Sequence, residues 1–364
     1  MLSTRFFRGF AQKSFLVVPS VSFRKFINFS KMSNSKVPTI DLVTSKGPLP
    51  MPILGYGTWQ ATDAELEAAV EAALEAGYRH IDTAYVYENE KVIGTVVKRW
   101  IDSGKLTRDD LFLVTKVPPG GNRPEGVSKY IKKSLEFLQV DYVDLYLVHV
   151  PFGFKDVEDN LHPFKEDGTI DMDVNTDHIA IWKAMEEQVD KGLAKSIGIS
   201  NFNRAQVSRI LKNARIRPSS LQIELHAYHQ QNELVDFCKK NDIVVTAYSP
   251  LGNPGLATFL TQFGQHVKLP NIMENPIVNE LAKKHNKTPA QILLRHIVQR
   301  GICAIPKSTN PKRLRQNIDI FDFSLDQEDM EAMNGLDQGV RLLDFSVFKG
   351  IQAHPEYPFP EMKK

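Results

Sequence analysis

From Ile53 onward the chain alternates short apolar runs with longer stretches whose apolar residues recur at helical spacing. The runs are Ile53–Thr58, His80–Asp82, Leu111–Lys116, Tyr142–Val148, Ala194–Ile199, Ser220–Glu224, Ile243–Tyr248 and Ile302–Ile305. Their length and β-branched content predict buried strands. Between and after them lie predicted helices over 64–76, 88–101, 124–138, 178–191, 204–214, 232–240, 276–285, 289–299 and 311–317. Their punctuation agrees: Asp63 is placed to cap the first helix, Gly77 to stop it, and Pro289 sits in a first turn that tolerates proline. Ahead of this array, Thr39 to Met51 alternates apolar and polar residues around Ser45-Lys46-Gly47 and predicts a small β-hairpin. After it come one more helix, about 326–334, and an irregular aromatic tail with Phe345, Phe348, Tyr357 and Phe359.

Eight strand–helix units with parallel crossovers close naturally into a (β/α)8 TIM barrel. An open doubly wound sheet is the alternative, but no Gly-x-Gly-x-x-Gly follows the first strand. The domain expectation is therefore a leader over 1–36 and a single barrel over 37–364, with the N-terminal hairpin at one end and a C-terminal specificity loop.

Composition alters this picture only at the N-terminus. A net charge of +2 in 364 residues makes no case for nucleic acid, and no apolar run is long enough to span a membrane. Cys238 and Cys303 have no metal or disulfide spacing, which suits a reducing compartment. Residues 1–40, however, hold no Asp or Glu but contain Arg5, Arg8, Lys13, Arg24, Lys25, Lys31 and Lys36. That is the composition of a mitochondrial transit peptide. Met32 offers a second start, and the reading taken is a cytoplasmic protein, with a mitochondrial address as the alternative.

In such a barrel, chemistry sits at the C-terminal ends of the strands. Strand two ends on Asp82, with Tyr87 five positions on; strand three ends on Lys116; strand four runs into His149. Strand five runs into Ser200-Asn201, strand six carries Gln222 and Glu224, strand seven ends on Tyr248-Ser249, and strand eight is followed by Lys307-Ser308. One His and one carboxylate are too few for a metal cage, but the set suits proton transfer. Lys116 would favour the tyrosinate of Tyr87 and make it a better acid, Asp82 would keep that ammonium charged, and His149 would orient a substrate oxygen. Such a group would polarise a carbonyl and protonate the alkoxide formed when hydride arrives. Tyr248 is placed to stack on a nicotinamide, with Ser200, Asn201 and Gln222 bonding its carboxamide. Lys307, Ser308, Thr309 and Arg313 open a predicted helix as an anion site, which a 2′-phosphate would fill, favouring NADPH over NADH. A Schiff-base aldolase using Lys116 is a competing chemistry, though it has no use for a 2′-phosphate patch.

The chain resembles the aldo-keto reductases from Thr39 to Phe359. The motifs are Gly55-Tyr56-Gly57-Thr58-Trp59, Gly77-Tyr78-Arg79-His80-Ile81-Asp82-Thr83-Ala84, Lys116, Val143-Asp144-Leu145-Tyr146-Leu147-Val148-His149, Gly198-Ile199-Ser200-Asn201-Phe202, Gln222-Ile223-Glu224, Ala247-Tyr248-Ser249-Pro250-Leu251-Gly252 and Ile305-Pro306-Lys307-Ser308. Pro355-Glu356-Tyr357-Pro358-Phe359 is similar to the aldose-reductase-like branch. The resemblance implies NADPH-dependent reduction of aldehydes or ketones by a monomer, with Tyr87 as proton donor, Lys116 and Asp82 tuning it, and His149 orienting the substrate. It places Thr58 and Trp59 at the nicotinamide, Ser249 and Leu251 at the pyrophosphate, Lys307, Ser308, Thr309 and Arg313 at the 2′-phosphate, and Asn317 at the adenine. His149, Trp59, Val86 and Val150 would line the substrate pocket. Val150 stands where many relatives carry Trp, and Gln316 where they often carry Glu. A catalytically weak NADPH-binding regulatory subunit is the alternative of a different class. The partner implied is a small-molecule carbonyl compound, with no metal, nucleic acid or membrane; small aldehydes, sugars and ketosteroid-like ketones all stay open.

Overall fold

The computed structural model describes residues 27–28, 37–61, 63–262 and 264–362. The transit-peptide reading concerns a leader that lies outside the described residues, apart from Ile27–Asn28 (β1), which pairs antiparallel with Thr39 and Ile40. The hairpin forms as expected from Thr39–Thr44 (β2) and Gly47–Pro52 (β3), with Ile40, Leu42 and Met51 turned into the core.

Eight parallel strands follow: Tyr56–Gly57 (β4), His80–Asp82 (β5), Phe112–Val117 (β6), Val143–Val148 (β7), Ala194–Ser200 (β10), Ser220–Glu224 (β11), Val244–Tyr248 (β12) and Cys303–Ala304 (β13). They pair in the order β13-β12-β11-β10-β7-β6-β5-β4. The ends of that order then meet. Gly55 N donates to Ala304 O at 2.9 Å, Ala304 N to Ile53 O at 3.0 Å, and Gly57 N to Pro306 O at 3.2 Å, so the sheet closes into a barrel. Closure needs a glycine at 57, because a Cβ there would lie 2.7 Å from the backbone oxygen of Ile305. The two seam strands are shorter than the runs expected from sequence. Two short strands, Gly153–Phe154 (β8) and Met172–Asp173 (β9), pair antiparallel in the long connection after β7.

The helices are Asp63–Ala76 (α1), Glu90–Asp102 (α2), Pro124–Leu138 (α3), His178–Asp190 (α4), Arg204–Asn213 (α5), Asn232–Lys240 (α6), Leu256–Thr261 (α7), Pro276–Lys284 (α8), Pro289–Gln299 (α9), Pro311–Ile318 (α10) and Gln327–Asn334 (α11). Beyond shifts of a residue at several element ends, three differences from expectation stand out. Asp63 is the first residue of α1, not its cap. The stretch 252–275, for which no helix was expected, contains α7. The second helix begins at Glu90, two residues late, because Tyr85–Tyr87 forms its own one-turn 3-10 helix and Glu88 closes it in the left-handed conformation, φ 55°. Asn89 is spent as a staple: its Nδ2 donates to Thr58 O at 3.0 Å and its Oδ1 accepts from the Thr83 hydroxyl at 3.1 Å. The staple fixes the turn that carries Tyr87.

Branched residues fill the barrel and the layer beneath the helices in one core that takes in Leu54, Leu113, Leu147, Ile199, Leu221 and Ala304. A separate aromatic core joins the connection after β7 to the C-terminal tail through Phe152, Phe154, Phe345 and Phe359. Among the described residues, no helix is long and apolar enough to cross a membrane.

The α2–α3 contact depends on Gly94, where a Cβ would sit 2.1 Å from Phe137 O and 2.7 Å from Leu138 Cα. Gly94→Ala should lower the unfolding free energy by about 1–3 kcal/mol, as overpacking of rigid backbone does. Urea titration followed by circular dichroism measures it; an unchanged midpoint would show that the two helices yield freely.

Candidate active site

Parallel register and pleat bring the polar strand ends together. Asp82 is level with Val114, so Lys116, two residues on and on the same face, stands one pleat higher. Leu145, Leu147 and then His149 alternate onto the barrel side of the next strand, while Tyr146 turns outward to donate to Val127 O. Lys116 is fully buried, and its ammonium donates to Asp82 Oδ1 at 2.6 Å and to Thr83 O at 2.9 Å. It lies 3.5 Å from the Tyr87 hydroxyl and 5.1 Å from the centre of that ring. The His149 ring meets Tyr87 edge-on at 5.5 Å. The structure therefore brings Asp82, Tyr87, Lys116 and His149 into one cluster.

Electrostatics assign distinct states. Burial, and then the Lys116 charge, push His149 well below its ordinary value, so its ring is neutral. His149 Nδ1 is buried without a hydrogen-bond partner. Burial lowers Lys116, while Asp82 and Glu90 oppose the shift. The surroundings of Tyr87 hold its phenol protonated. Burial, reinforced by the Asp82 charge, raises the phenol well above its ordinary value. The Lys116 ammonium has Asp82 and Thr83 as its closest partners, with the Tyr87 hydroxyl farther off at 3.5 Å.

The residues expected around a nicotinamide make contacts with one another. Gln222 reaches across the barrel and donates Nε2 to Asp82 Oδ2 at 2.7 Å, so both carboxylate oxygens are occupied. Asn201, left-handed at φ 66°, donates Nδ2 to His149 O at 2.9 Å and to Ser200 Oγ at 3.1 Å. Its Oδ1 accepts from Tyr248 Oη at 2.8 Å, which holds that half-buried ring at the rim. The buried Thr58 hydroxyl donates to Asp82 O at 3.0 Å, so it braces β5. Half-buried Trp59 packs edge-on against Phe259 of α7 at 5.2 Å. Val86 is half-buried beside Tyr87, whereas Val150 is buried in the aromatic core with Phe152 and Phe345.

On the far side, Ser249 is left-handed and Leu251 packs between two cores. Asn310 caps α10 by accepting from Lys312 N and Arg313 N. Ser308 Oγ accepts from Arg313 Nε at 3.3 Å, and Lys307 donates to Gln60 O at 3.2 Å across the cleft. Arg313 and Lys307 are exposed, Thr309 is half-exposed and Asn317 is buried. This donor set fits an anionic cofactor: two cations and a hydroxyl at a helix start, with a buried, partnerless Asn253 Nδ2 in the loop after β12. Among the described residues, no group of three His, Cys, Asp or Glu could hold a metal.

Two buried carboxylates have roles that sequence patterning did not supply. Glu90 accepts from Thr115 next to Lys116, and burial pushes it up to about 7. Glu224 accepts from the tail backbone at Leu342 and Leu343. The sequence marked Glu224 as a polar residue of strand six, two residues beyond Gln222 on the same face, but nothing in it pointed to the tail as partner.

A model of the Aldo/keto reductase family matches residues 53–338. The chain is 43% identical over 316 residues to Aldo-keto reductase family 1 member C1 of Macaca fuscata fuscata, covering 85% of this chain and 95% of that protein. It is equally similar, 43% over 316 residues with the same coverage, to Aldo-keto reductase family 1 member A1 of Mus musculus. Among solved structures, that of the aldose reductase from Schistosoma japonicum superposes with a TM-score of 0.79 at 40% identity, over 88% of this chain and 99% of that one.

The buried ion pair yields a stability prediction. Lys116→Met leaves Asp82 charged and unpaired, and should destabilise by about 3–5 kcal/mol. The double variant Asp82→Leu, Lys116→Met should recover at least half of that loss. Urea unfolding of the three proteins checks it, and equal losses in single and double variants would contradict the pairing.

Proposed function

The chain belongs to the aldo/keto reductase family, an oxidoreductase acting on carbonyl and alcohol groups, and we propose that it reduces aldehydes or ketones with NADPH as hydride source and Tyr87 as proton donor. The observation that carries the reading is the contact of Tyr87, Lys116, Asp82 and His149 at one barrel mouth. When bound, the nicotinamide supplies hydride to the carbonyl carbon. The remaining work belongs to this chain's side chains. Neutral His149 donates from Nε2 to the carbonyl oxygen and sets its direction. Tyr87 carries its proton throughout the physiological range, since burial and Asp82 raise it. An alkoxide is a stronger base than a tyrosinate, so proton transfer from Tyr87 Oη to the developing alkoxide runs downhill even from a raised phenol. The phenolate left behind faces the Lys116 ammonium, 3.5 Å away, and Asp82 keeps that ammonium in place.

Cofactor choice follows from the start of α10. Ser308 and Arg313 are already hydrogen-bonded to each other, and Lys307 lies beside them in sequence. A guanidinium and a hydroxyl held together suit a phosphate monoester better than a ribose hydroxyl. Trp59 and Tyr248, both half-buried at the rim, give flat faces for the nicotinamide end. Ser200, Asn201 and Gln222 brace that same wall, with the Gln222 carbonyl oxygen left to accept from a carboxamide.

Two measurements test this. Tyr87→Phe should cut turnover of a reactive aldehyde such as 4-nitrobenzaldehyde by at least about 100-fold, while NADPH still quenches tryptophan fluorescence; full activity in that variant ends the proposal. Arg313→Ala should weaken NADPH binding by roughly 10- to 100-fold, the worth of a charge-assisted contact, and NADH by less than about threefold. Fluorescence titration with each nucleotide reads the difference, and parallel losses would remove the phosphate assignment.

A further inference from the structure

We propose that Glu224 is a positioning residue for the substrate wall: its carboxylate pins the C-terminal tail to the barrel mouth and so sets which carbonyl compounds fit. The substrate part of this inference rests on the carbonyl-reductase reading; the pinning itself does not.

Glu224 ends β11 and is fully buried. Its Oε1 accepts from Leu342 N at 2.7 Å and from His226 Nε2 at 3.0 Å, and its Oε2 accepts from Leu343 N at 2.8 Å. Two successive backbone N–H groups thus straddle one carboxylate, a small anion nest made by the tail. Burial works against the charge, but the His226 and Leu342 donors, with Arg341 nearby, hold the carboxyl below its ordinary range. Arg341 itself lies over the Phe359 ring at 3.6 Å, which folds the tail back on itself.

The tail is held at two points. Its far end is tied by Glu356, which accepts from Gln206 Nε2 at 3.1 Å and pairs with Arg209. Its near end is tied to the barrel mouth by Glu224. Between them run Val347 and Phe348, which join Leu342 and Leu343 in one apolar cluster with Trp59 and Phe259. That cluster stands over the mouth, since Trp59 follows the Thr58 that braces Asp82. Residue 224 lies on the same strand face as Gln222, which holds Asp82. The strand that positions the proton-transfer group therefore also positions the apolar wall, by two side chains one pleat apart.

A carboxylate is required because both of its oxygens accept. In Glu224→Gln one of the two positions becomes an NH2 group and meets a tail N–H donor to donor. Glu224→Asp keeps the charge inside the barrel but shortens the reach by one methylene. Full-length wild type and both variants are compared in two ways. Hydrogen exchange of the segment 340–348 should quicken by at least about tenfold in each variant, as local opening allows, while 112–117 stays protected. With NADPH, kcat/KM for 1-naphthaldehyde should fall at least about tenfold, mainly through KM, while propanal, too small to reach the tail, changes less than about threefold. The two variants guard against misfolding of either one. Unchanged exchange, or equal losses for both aldehydes, overturns the inference. If the wild type reduces neither aldehyde, the proposed function fails, and the exchange result still decides whether Glu224 pins the tail.

Discussion

The structure is arranged around one ammonium group with no route to water. Lys116 is fully enclosed and its charge is compensated by Asp82 at 2.6 Å. A buried pair of this kind adds little net stability, because desolvation consumes most of the attraction. Its value lies in what it forbids. Neither strand can slip in register without stranding a charge in a low-dielectric interior, so β5 and β6 are locked at their C-terminal ends. Thr58, just after β4, braces Asp82, and Gln222 takes its second oxygen from the opposite wall.

That constraint spreads outward through polar groups that each do two jobs. Asn89 ties the Tyr85–Tyr87 turn to the loop after β4, so the turn carrying Tyr87 is fixed by the side chain of the residue that opens α2. Asn201 supports the backbone of His149 and the phenol of Tyr248 with one amide. Glu224 joins the barrel to the tail. The mouth is thus a hydrogen-bonded ring in which few side chains act alone. Rigid strands supply the precision, and the loops and tail supply the variable wall.

The barrel and its eight strands were legible in the sequence because they rest on local rules. Apolar runs, helical periodicity and first-turn prolines such as Pro289 act within a few residues of themselves. The candidate tetrad was legible for the same reason: a side chain at the end of a parallel strand has only one rim to reach. Where local signals compete, the reading went wrong by a small amount. Glu88 carries a helix-forming side chain, yet the turn before it forces a left-handed backbone there and moves the helix start to Glu90.

What the sequence by itself determined is therefore the barrel, the family and the set of polar groups that converge on its mouth. What only the tertiary structure decided is how those groups pair. Gln222 and Asp82 are 140 residues apart, and Glu224 and Leu342 are 118 apart. No periodicity relates such positions; their pairing exists only once the barrel has closed and the tail has folded across it. The protonation states followed the same rule. The lysine's closest hydrogen bonds go to Asp82 and Thr83, and burial raises the nearby Tyr87 phenol, effects that exist only once the barrel has folded.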